Sequence, residues 1–484
     1  MSHLRITDNH VAVEITHESD TGYCHDEIDD NTRKDLQRIV NAQIKDLKGD
    51  KRPNLLVFPR DLGYYGDDVG EGRIISFHDN CISTGNIMGF VGVNDTQVDI
   101  ISRFAKTDGE DYFLHYMLQR VFAINLFDIK HTTSSQPIFD FLLYLFPYFL
   151  KKALRQGIYK KYRRFEYNDS NIRGPIDVSR HIRDNIPFRG TVAYSTREHT
   201  YDNEVTELIR HTIEYIKTHP MGNSVLNCDQ ETKNAVMTMT QATPTYNTRD
   251  RNRIIYHNLR PVTHPYYSEY TALQKICVQI LRHEALKYGQ EEDKIYGVLF
   301  DGAWLWEEYL NTIFTKVRLD ITHAKNKTGE NGIALYESGR KSYYPDFYMR
   351  NDCAKTSFVL DAKYKRLGFE MKTDGHDDEK TNTIAIGRDD LFQMITYMHV
   401  LPARHCALLY PIELEESNTS DIVLSSPRQL LGDGGKIIGI GIPIANTREY
   451  SDFCKFQGEI EKQLVIVIEK YHQGNSCCDK PNIG

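Results

Sequence analysis

The chain contains 484 residues, which is enough for two or three domains with buried cores. Its formal net charge of −8 excludes a uniformly basic coat for nucleic acid, although a local basic surface remains compatible with it. Hydrophobic residues make up 40% of the chain and charged residues 26%, which is ordinary for a soluble globular protein.

Cysteine usage and the apolar runs indicate a reducing compartment without a membrane span. The nine cysteines are scattered, apart from the adjacent Cys477 and Cys478, so neither a zinc site nor a disulfide framework is favoured. The start, MSHLRITDNH, lacks the apolar core of a signal peptide. The most apolar run, Ile138 to Leu150, is too short to cross a bilayer and contains Asp140 and Pro147. We expect a cytoplasmic protein with no membrane partner.

Hydrophobic patterns divide the chain into four parts. Residues 1–125 are predicted to be rich in β-strand, since GNIMGFVGVN and TQVDIISRF are β-branched runs separated by turn residues. Residues 126–289 are predicted to be mostly helical, with a buried helix over the apolar run and helical spacing in NEVTELIRHTIEYIKTH. Residues 290–445 alternate helix and strand, as in an α/β domain. Residues 446–484 are predicted to form a last helix and a polar tail.

A basic segment with interleaved aromatic residues, KKALRQGIYKKYRRFEY, lies in the middle part. Basic side chains neutralise phosphates and aromatic rings stack on bases. Lys160, Lys161, Arg163 and Arg164 are therefore candidate contacts to nucleic acid. A solvated helix end, or a surface that faces an acidic partner protein, is equally consistent with this charge pattern.

The segment DGAWLWEEYLNTIF is predicted to be a helix that Asp301 caps. At helical spacing its apolar residues, from Leu305 to Phe314, form one arc. Glu307 falls just beyond one edge of that arc and Glu308 beyond the other. Glu307 is thus placed to reach inward from a packed helix, although an ordinary flanking acid has the same pattern.

Two short strands, Ser342 to Arg350 and Ser357 to Lys365, are predicted to form a hairpin because the turn-like linker NDCAKT joins them. Side chains alternate along a strand, so Asp361 and Lys363 face the same side. The twist of the hairpin would bring Asp346 towards them.

This hairpin predicts a metal site. Asp346, Asp361 and the backbone carbonyl of Ala362 are hard oxygen ligands suited to Mg²⁺ or Mn²⁺. Lys363 beside them can orient a water molecule or stabilise charge at phosphorus, which suits hydrolysis of a phosphodiester. The motif is short, however. The same sequence would result if Asp346 merely began a turn after Pro345 and Lys363 were a solvated strand residue.

A further predicted helix, RDDLFQMITYM, places Gln393 and Tyr397 on one face because they are four residues apart. Their amide and phenol could hold a phosphate or orient Lys363. Lys365 and Arg366 add a second local positive patch and are also candidate contacts to nucleic acid.

The order of these motifs resembles the PD-(D/E)XK nuclease superfamily, in the subgroup with a Q-x-x-x-Y helix. Five segments resemble more closely McrC, the nuclease subunit of McrBC-type restriction systems. These segments are LFDGAWLWEEYL, FVLDAKYK, NIRGPIDVSRHI, YDNEVTELI and GFVGVNDTQVDIISRF. The resemblance extends over roughly residues 80–445.

The resemblance implies an α+β or α/β multidomain chain. It implies a C-terminal PD-(D/E)XK nuclease fold, with a mixed central sheet flanked by helices, after a β-rich N-terminal region and a helical middle region. The implied metal ligands are Asp346, Asp361, Ala362 and Glu307, the last through a water molecule or a second metal. Lys363 would act on the attacking water and the transition state, with support from Gln393 and Tyr397.

The implied function is endonucleolytic cleavage of double-stranded DNA with Mg²⁺ or Mn²⁺. The N-terminal and middle regions would dock on a hexamer of a separate, McrB-like AAA+ NTPase and stimulate its GTP hydrolysis. The absence of a GxxxxGKS/T loop agrees with this, since GDGGKI at residues 432–437 lacks the spacing and the hydroxyl. Two alternatives remain open: a RecB-like repair nuclease without such a motor, and a non-catalytic adaptor that stimulates an AAA+ partner.

Overall fold

The computed structural model describes residues 2–9, 13–14, 30–40, 55–58, 75–78, 81–94, 96–105, 111–122, 137–219, 222–286, 296–317, 320–325, 331–339, 342–349, 357–366, 369–372, 381–384, 386–413, 421–431 and 435–476. Within these ranges, no helix is both long enough and apolar enough to span a bilayer. The linker NDCAKT, most of the turn in GDGGKI and the polar tail with its two cysteines lie outside them.

The chain divides into two compact units. Residues 1–123 and 293–484 form the first unit, and residues 124–292 form the second. This grouping differs from the four-part division expected from the sequence, because the N-terminal and C-terminal parts belong to one unit.

The N-terminal part of the first unit is rich in strands, as predicted. Its elements are β1 (Ser2–Thr7), β2 (Val13–Glu14), α1 (Asp30–Val40), β3 (Leu55–Phe58), β4 (Ile75–His78), β5 (Cys81–Thr84), β6 (Ile87–Val93), β7 (Thr96–Ile101) and α2 (Tyr112–Phe122). The two predicted β-branched runs form β6 and β7, which pair antiparallel. Asn94 lies in the connection with a φ of 50°, in the left-handed region that asparagine tolerates.

The second unit is mostly helical, with one long hairpin. Its elements are α3 (Pro137–Arg155), β8 (Lys161–Asp169), α4 (Val178–Asn185), β9 (Val192–Thr200), α5 (Glu204–Thr218), α6 (Gly222–Leu226), α7 (Gln230–Ala242), α8 (Arg251–His257) and α9 (Tyr270–Leu286). Strands β8 and β9 pair antiparallel. The apolar run predicted to form a buried helix lies in α3, where Leu143, Leu145 and Phe146 are fully buried.

The C-terminal part of the first unit contains the predicted hairpin. Its elements are β10 (Tyr296–Asp301), α10 (Gly302–Phe314), β11 (Ile321–His323), β12 (Ile333–Ala334), β13 (Ser342–Tyr343), β14 (Phe347–Met349), β15 (Ser357–Ala362), β16 (Phe369–Lys372), β17 (Thr381–Ile384), α11 (Arg388–Val400), β18 (Ala403–Glu413), β19 (Val423–Leu424), β20 (Arg428–Gln429), β21 (Lys436–Ile444) and α12 (Tyr450–Ser476). The polar segment before α11 carries the β16–β17 hairpin.

One predicted strand is broken in two. The sequence predicts a continuous strand over Ser342 to Arg350, whereas β13 and β14 are separated by Tyr344, Pro345 and Asp346. Proline has no backbone N–H and cannot continue a ladder of hydrogen bonds, which explains the interruption. Asp346 consequently lies immediately before β14 rather than inside a strand.

The central sheet of this part is mixed. Its strand order is β11–β14–β15–β18–β21–β19, and β20 also pairs with β21. The predicted hairpin is confirmed, since β14 and β15 are antiparallel, while β15, β18 and β21 run parallel. Helix α11 covers one face, where Met394 and Tyr397 belong to the same buried cluster as Val359 and Leu408.

Strand β10 connects the C-terminal part of the first unit to the N-terminal sheet. That sheet has the order β1–β7–β6–β10–β3, with β10 antiparallel to β6. The backbones are close at two glycines: a Cβ on Gly89 would lie 2.2 Å from the Val298 oxygen, and one on Gly297 would lie 2.2 Å from the Phe90 oxygen. Strand β10 leads directly into α10, so the N-terminal sheet fixes where that helix begins.

Helix α10 begins as predicted. The Asp301 side chain accepts hydrogen bonds from the backbone N–H groups of Ala303 (2.9 Å) and Trp304 (3.3 Å), as a helix cap does. The six residues of the predicted apolar arc, Leu305, Trp306, Tyr309, Leu310, Ile313 and Phe314, are all buried.

Candidate active site

Strand pairing brings Asp346 and Asp361 to one end of the central sheet. Asp346 immediately precedes β14, and its Oδ2 accepts a hydrogen bond of 2.7 Å from the backbone N–H of Ala362. Asp361 is the penultimate residue of β15, and its side chain is buried. The hairpin therefore places the Asp346 carboxylate beside the Asp361–Ala362 peptide.

Lys363 provides the nearest positive charge to the buried Asp361. Its Nζ lies 2.7 Å from Asp361 Oδ2 and 3.6 Å from Asp390 Oδ1. Neither carboxylate oxygen of Asp361 has a well-oriented hydrogen bond within the described part of the chain. The buried carboxylate is thus compensated mainly by charge, and its oxygens retain capacity for a further electropositive group.

The pKa shifts at this site follow from burial and from the two close carboxylates. Burial raises the pKa of Asp346 well above its usual range, and the charges of Asp361 and Glu307 raise it further. Burial also raises the pKa of Asp361, although Lys363 opposes that shift. Burial alone would lower the pKa of Lys363, but Asp361 and Asp346 outweigh it and raise the pKa to about 12. Lys363 is consequently a cation at neutral pH.

A hydrogen-bonded chain orients the Lys363 amine. Lys363 Nζ donates to Gln393 Oε1 at 2.8 Å, and Gln393 Nε2 donates to the Tyr397 hydroxyl at 2.8 Å. The Tyr397 hydroxyl in turn donates to the Tyr344 carbonyl at 3.2 Å. Gln393 and Tyr397 share a face of α11, as their spacing predicts, and together they link Lys363 to the segment that carries Asp346.

Glu307 projects from α10 towards the same region and is held by a histidine. His323 Nε2 lies 2.7 Å from Glu307 Oε1. No sequence motif identifies His323, because it lies on a three-residue strand. Its position becomes visible only when β11 is paired with β14.

A divalent cation fits the two aspartates. Both have raised pKa values, and the oxygens of buried Asp361 lack well-oriented hydrogen bonds, so a nearby cation would stabilise the pair. Carboxylate and backbone carbonyl oxygens are hard ligands that Mg²⁺ and Mn²⁺ prefer, so the two aspartates and the Ala362 carbonyl could hold such an ion. Among the described residues, no group of three or more His, Cys, Asp or Glu side chains is close enough to hold one metal ion. Glu307 is therefore not assembled with the two aspartates as a third direct ligand.

Neutralising Asp346 is expected to stabilise the metal-free protein. Because its folded pKa is raised, the native state binds more protons than the unfolded chain, and stability is lost as pH rises above about 4. Asp346→Asn keeps an acceptor for the Ala362 N–H but removes the repulsion. We expect its melting temperature in EDTA to exceed that of the wild type by about 2–4 °C at pH 8, with a smaller difference near pH 5. Equal melting temperatures at both pH values would contradict the repulsion.

The basic segment of the second unit is not a continuous helix end, because α3 ends at Arg155 and β8 begins at Lys161. Its four candidate residues all have local contacts. Lys160 lies 4.3 Å from the ring centre of Tyr201, while Lys161 pairs with Glu204, Arg163 with Glu207 and Arg164 with Asp177. The local acids offset much of the charge that the sequence predicts for this surface.

The second predicted basic patch lies just after β15. Lys365 forms an ion pair with Asp390, and Arg366 forms one with Glu413 at 2.6 Å. Arg366 also donates to the backbone carbonyl of Arg103. These cations adjoin Lys363 in sequence, but each is already paired with an acid.

Comparison with known proteins gives a match to one protein family. A family described as "McrBC 5-methylcytosine restriction system component" matches residues 82–411, more than half of the chain. One solved structure, titled as a refined half-complex from a tetradecameric assembly of Thermococcus gammatolerans McrB AAA+ hexamers with bound McrC, contains a chain with 14% identity and a TM-score of 0.51. That match covers 96% of this chain and 100% of the other.

A second match is weaker. It is to the cryo-EM structure of the Thermococcus gammatolerans McrBC complex, with 14% identity and a TM-score of 0.33, over 65% of this chain and 88% of the other. Among curated protein sequences, none matches this chain. The family match and the shared fold confirm the resemblance to McrC expected from the sequence. The chain belongs to the family of McrBC 5-methylcytosine restriction system components.

Proposed function

We propose that this chain is the DNA-cleaving subunit of a McrBC-type restriction system and hydrolyses phosphodiester bonds of double-stranded DNA. The observation that carries the proposal is the arrangement at the end of β15. There the buried Asp361 lies beside the oriented amine of Lys363. Asp346 accepts a hydrogen bond from the backbone N–H of Ala362, the residue after Asp361. The mixed sheet of β14, β15, β18 and β21 beneath α11 supports a nuclease domain of the PD-(D/E)XK type.

Asp346, Asp361 and the Ala362 carbonyl would hold the Mg²⁺ or Mn²⁺ ion. Such an ion, when bound, supplies Lewis-acid activation of water and of the phosphate. Lys363 stays protonated, so it donates hydrogen bonds to the attacking water or to the phosphate oxygens and stabilises their developing negative charge. Gln393 and Tyr397 keep its amine in place, which lowers the reorganisation needed during the reaction.

We further infer that cleavage depends on a separate AAA+ NTPase. The similar solved chain belongs to an assembly of McrB AAA+ hexamers with bound McrC, which supports such a partner for this chain. The sequence carries no phosphate-binding loop of its own, so any nucleotide-driven step requires another protein. Dependence on a motor would also restrain a nuclease that could otherwise damage the DNA of its host.

Reconstitution with a McrB-like AAA+ protein tests the proposal. Plasmid DNA, Mg²⁺ and GTP or ATP are supplied, and DNA cleavage and nucleotide hydrolysis are followed together. The restriction-subunit proposal predicts cleavage only when both proteins and a nucleotide are present, and faster hydrolysis when this chain is added. Cleavage by this chain alone would favour a motor-independent repair nuclease. Stimulated hydrolysis without cleavage would favour an adaptor.

A further inference from the structure

We propose that His323 is a positioning residue of this site: it holds the Glu307 carboxylate beside the Asp346–Asp361 pair and thereby increases the affinity for a divalent cation. The inference rests on the proposed metal-dependent function. It assigns a role to a residue that the motif order does not contain.

The contact itself is short and sheltered. His323 Nε2 lies 2.7 Å from Glu307 Oε1, with side-chain exposures of 8% for the histidine and 25% for the glutamate. An ionised carboxylate can only accept hydrogen bonds, so with Glu307 ionised this contact requires a proton on His323 Nε2. A hydrogen bond to a charged group, partly shielded from water, is stronger than one on an open surface.

The imidazole ring is fixed from the sheet side. In the pairing of β11 with β14, His323 lies opposite Phe347, the residue after Asp346. The two rings stack with centres 4.8 Å apart and planes inclined by 26°. Phe314 of α10 meets Phe347 edge-on at 4.9 Å. The histidine is thus anchored next to one aspartate while its Nε2 reaches the helix that carries Glu307.

The two residues that follow His323 make separate contacts to the same two elements. The backbone N–H of Ala324 donates to the Asp346 carbonyl at 3.2 Å. Lys325 Nζ lies 3.5 Å from Oε1 of Glu308, the neighbour of Glu307. Residues 323–325 therefore join α10 to the backbone of Asp346. Among these three residues, the His323 side chain contacts Glu307, the acid whose charge raises the pKa of Asp346.

A fixed Glu307 explains how an acid outside the direct ligand set can act on the metal. Its negative charge favours a cation at the two aspartates, and its carboxylate can accept hydrogen bonds from a water bound there. Loss of a hydrogen bond that orients such an outer carboxylate typically costs about 10- to 100-fold in metal affinity or activity. The contact with His323 helps to fix this carboxylate before the metal binds.

Three substitutions separate this role from simple packing. His323→Phe keeps an aromatic ring against Phe347 but removes the donor, whereas His323→Gln keeps a donor and removes the ring. Lys325→Met is the matched control, because it breaks the neighbouring contact to Glu308 in the same segment. Manganese binding to the full-length, DNA-free protein is measured by titration calorimetry. The Mg²⁺ concentration for half-maximal DNA cleavage is measured in parallel.

We expect His323→Phe to weaken Mn²⁺ binding by about tenfold, His323→Gln to remain within about threefold of the wild type, and Lys325→Met to be unchanged. In a Glu307→Gln background, His323→Phe should have no further effect, since the two residues act as one unit. If His323→Phe bound Mn²⁺ with wild-type affinity, the role of His323 would be overturned and the proposed function would not. Equal loss in His323→Phe and His323→Gln would also overturn that role and indicate packing. A wild-type protein that binds no Mn²⁺ would overturn the proposed function as well.

Discussion

Replacement of Asp361 by asparagine is expected to reduce the rate of DNA cleavage by about 100- to 1,000-fold, because it removes a preorganised charge from the reacting centre. An asparagine side chain nearly matches the volume of the buried aspartate, so the hairpin should keep its shape. Single-turnover cleavage of plasmid DNA by the reconstituted system, with Mg²⁺ and nucleotide, measures this effect. Stimulation of nucleotide hydrolysis should persist, since that activity is assigned to the docking regions.

Asp389→Asn is a suitable control for this experiment. Asp389 is an exposed acid in the first turn of α11, next to the residue that contacts Lys363. Removal of this surface charge should leave the cleavage rate within about twofold of the wild-type rate, since substitutions of exposed residues usually have small effects. If Asp361→Asn cleaved DNA as fast as this control, the proposed role of the carboxylate would be wrong. If it also abolished stimulation of the motor, Asp361 would be structural.

Removal of Asp8 is expected to cost about 3–5 kcal/mol of the free energy of unfolding of the first unit, because Arg103 would lose its buried counter-charge. Asp8 is 1% exposed. It accepts hydrogen bonds from Arg103 Nε (3.0 Å), from Arg103 Nη2 (2.6 Å) and from the Arg103 backbone N–H (2.6 Å). Burial raises the pKa of Asp8, although Arg103 opposes this shift. The intact pair therefore adds little to the free energy of unfolding, whereas removal of one partner lowers it strongly.

Urea unfolding of Asp8→Ala, followed by circular dichroism, measures this loss. Asp452→Ala is the control, since Asp452 and Lys455 form a solvent-exposed pair at 3.1 Å that should contribute less than about 1 kcal/mol. The Arg103 guanidinium also lies 4.9 Å from the ring centre of Tyr364, the residue after Lys363. Loss of the Asp8 contact should therefore weaken the support of the segment that follows β15. A cost similar to that of the control would contradict the buried-pair argument.

Local features of the site could be predicted because they depend on short-range periodicity. The alternation of strand side chains placed Asp361 and Lys363 on one side, and their nitrogen and oxygen atoms are 2.7 Å apart. Helical spacing identified the shared face of Gln393 and Tyr397, which are hydrogen-bonded to each other at 2.8 Å. In each case the two residues are at most four positions apart.

Pairings between strands that no motif or turn signal connects could not be predicted. The pairing of β10 with β6 joins residues about two hundred positions apart, and a single sequence gives no register for such a pair. The contact of His323 with Glu307 likewise requires β11 to lie against β14, and β11 is only three residues long. The break at Pro345 was foreseeable from the missing N–H, but the apolar residues around it favoured one continuous strand.

The most direct test of the central claim is cleavage of plasmid DNA by wild type and Lys363→Ala, each reconstituted with the AAA+ partner, nucleotide and either Mg²⁺ or EDTA. If Asp346, Asp361 and Lys363 support metal-dependent cleavage, linear products should form only with the wild type in Mg²⁺. Both proteins should stimulate nucleotide hydrolysis equally. Cleavage by Lys363→Ala at the wild-type rate, or cleavage by the wild type in EDTA, would contradict the claim.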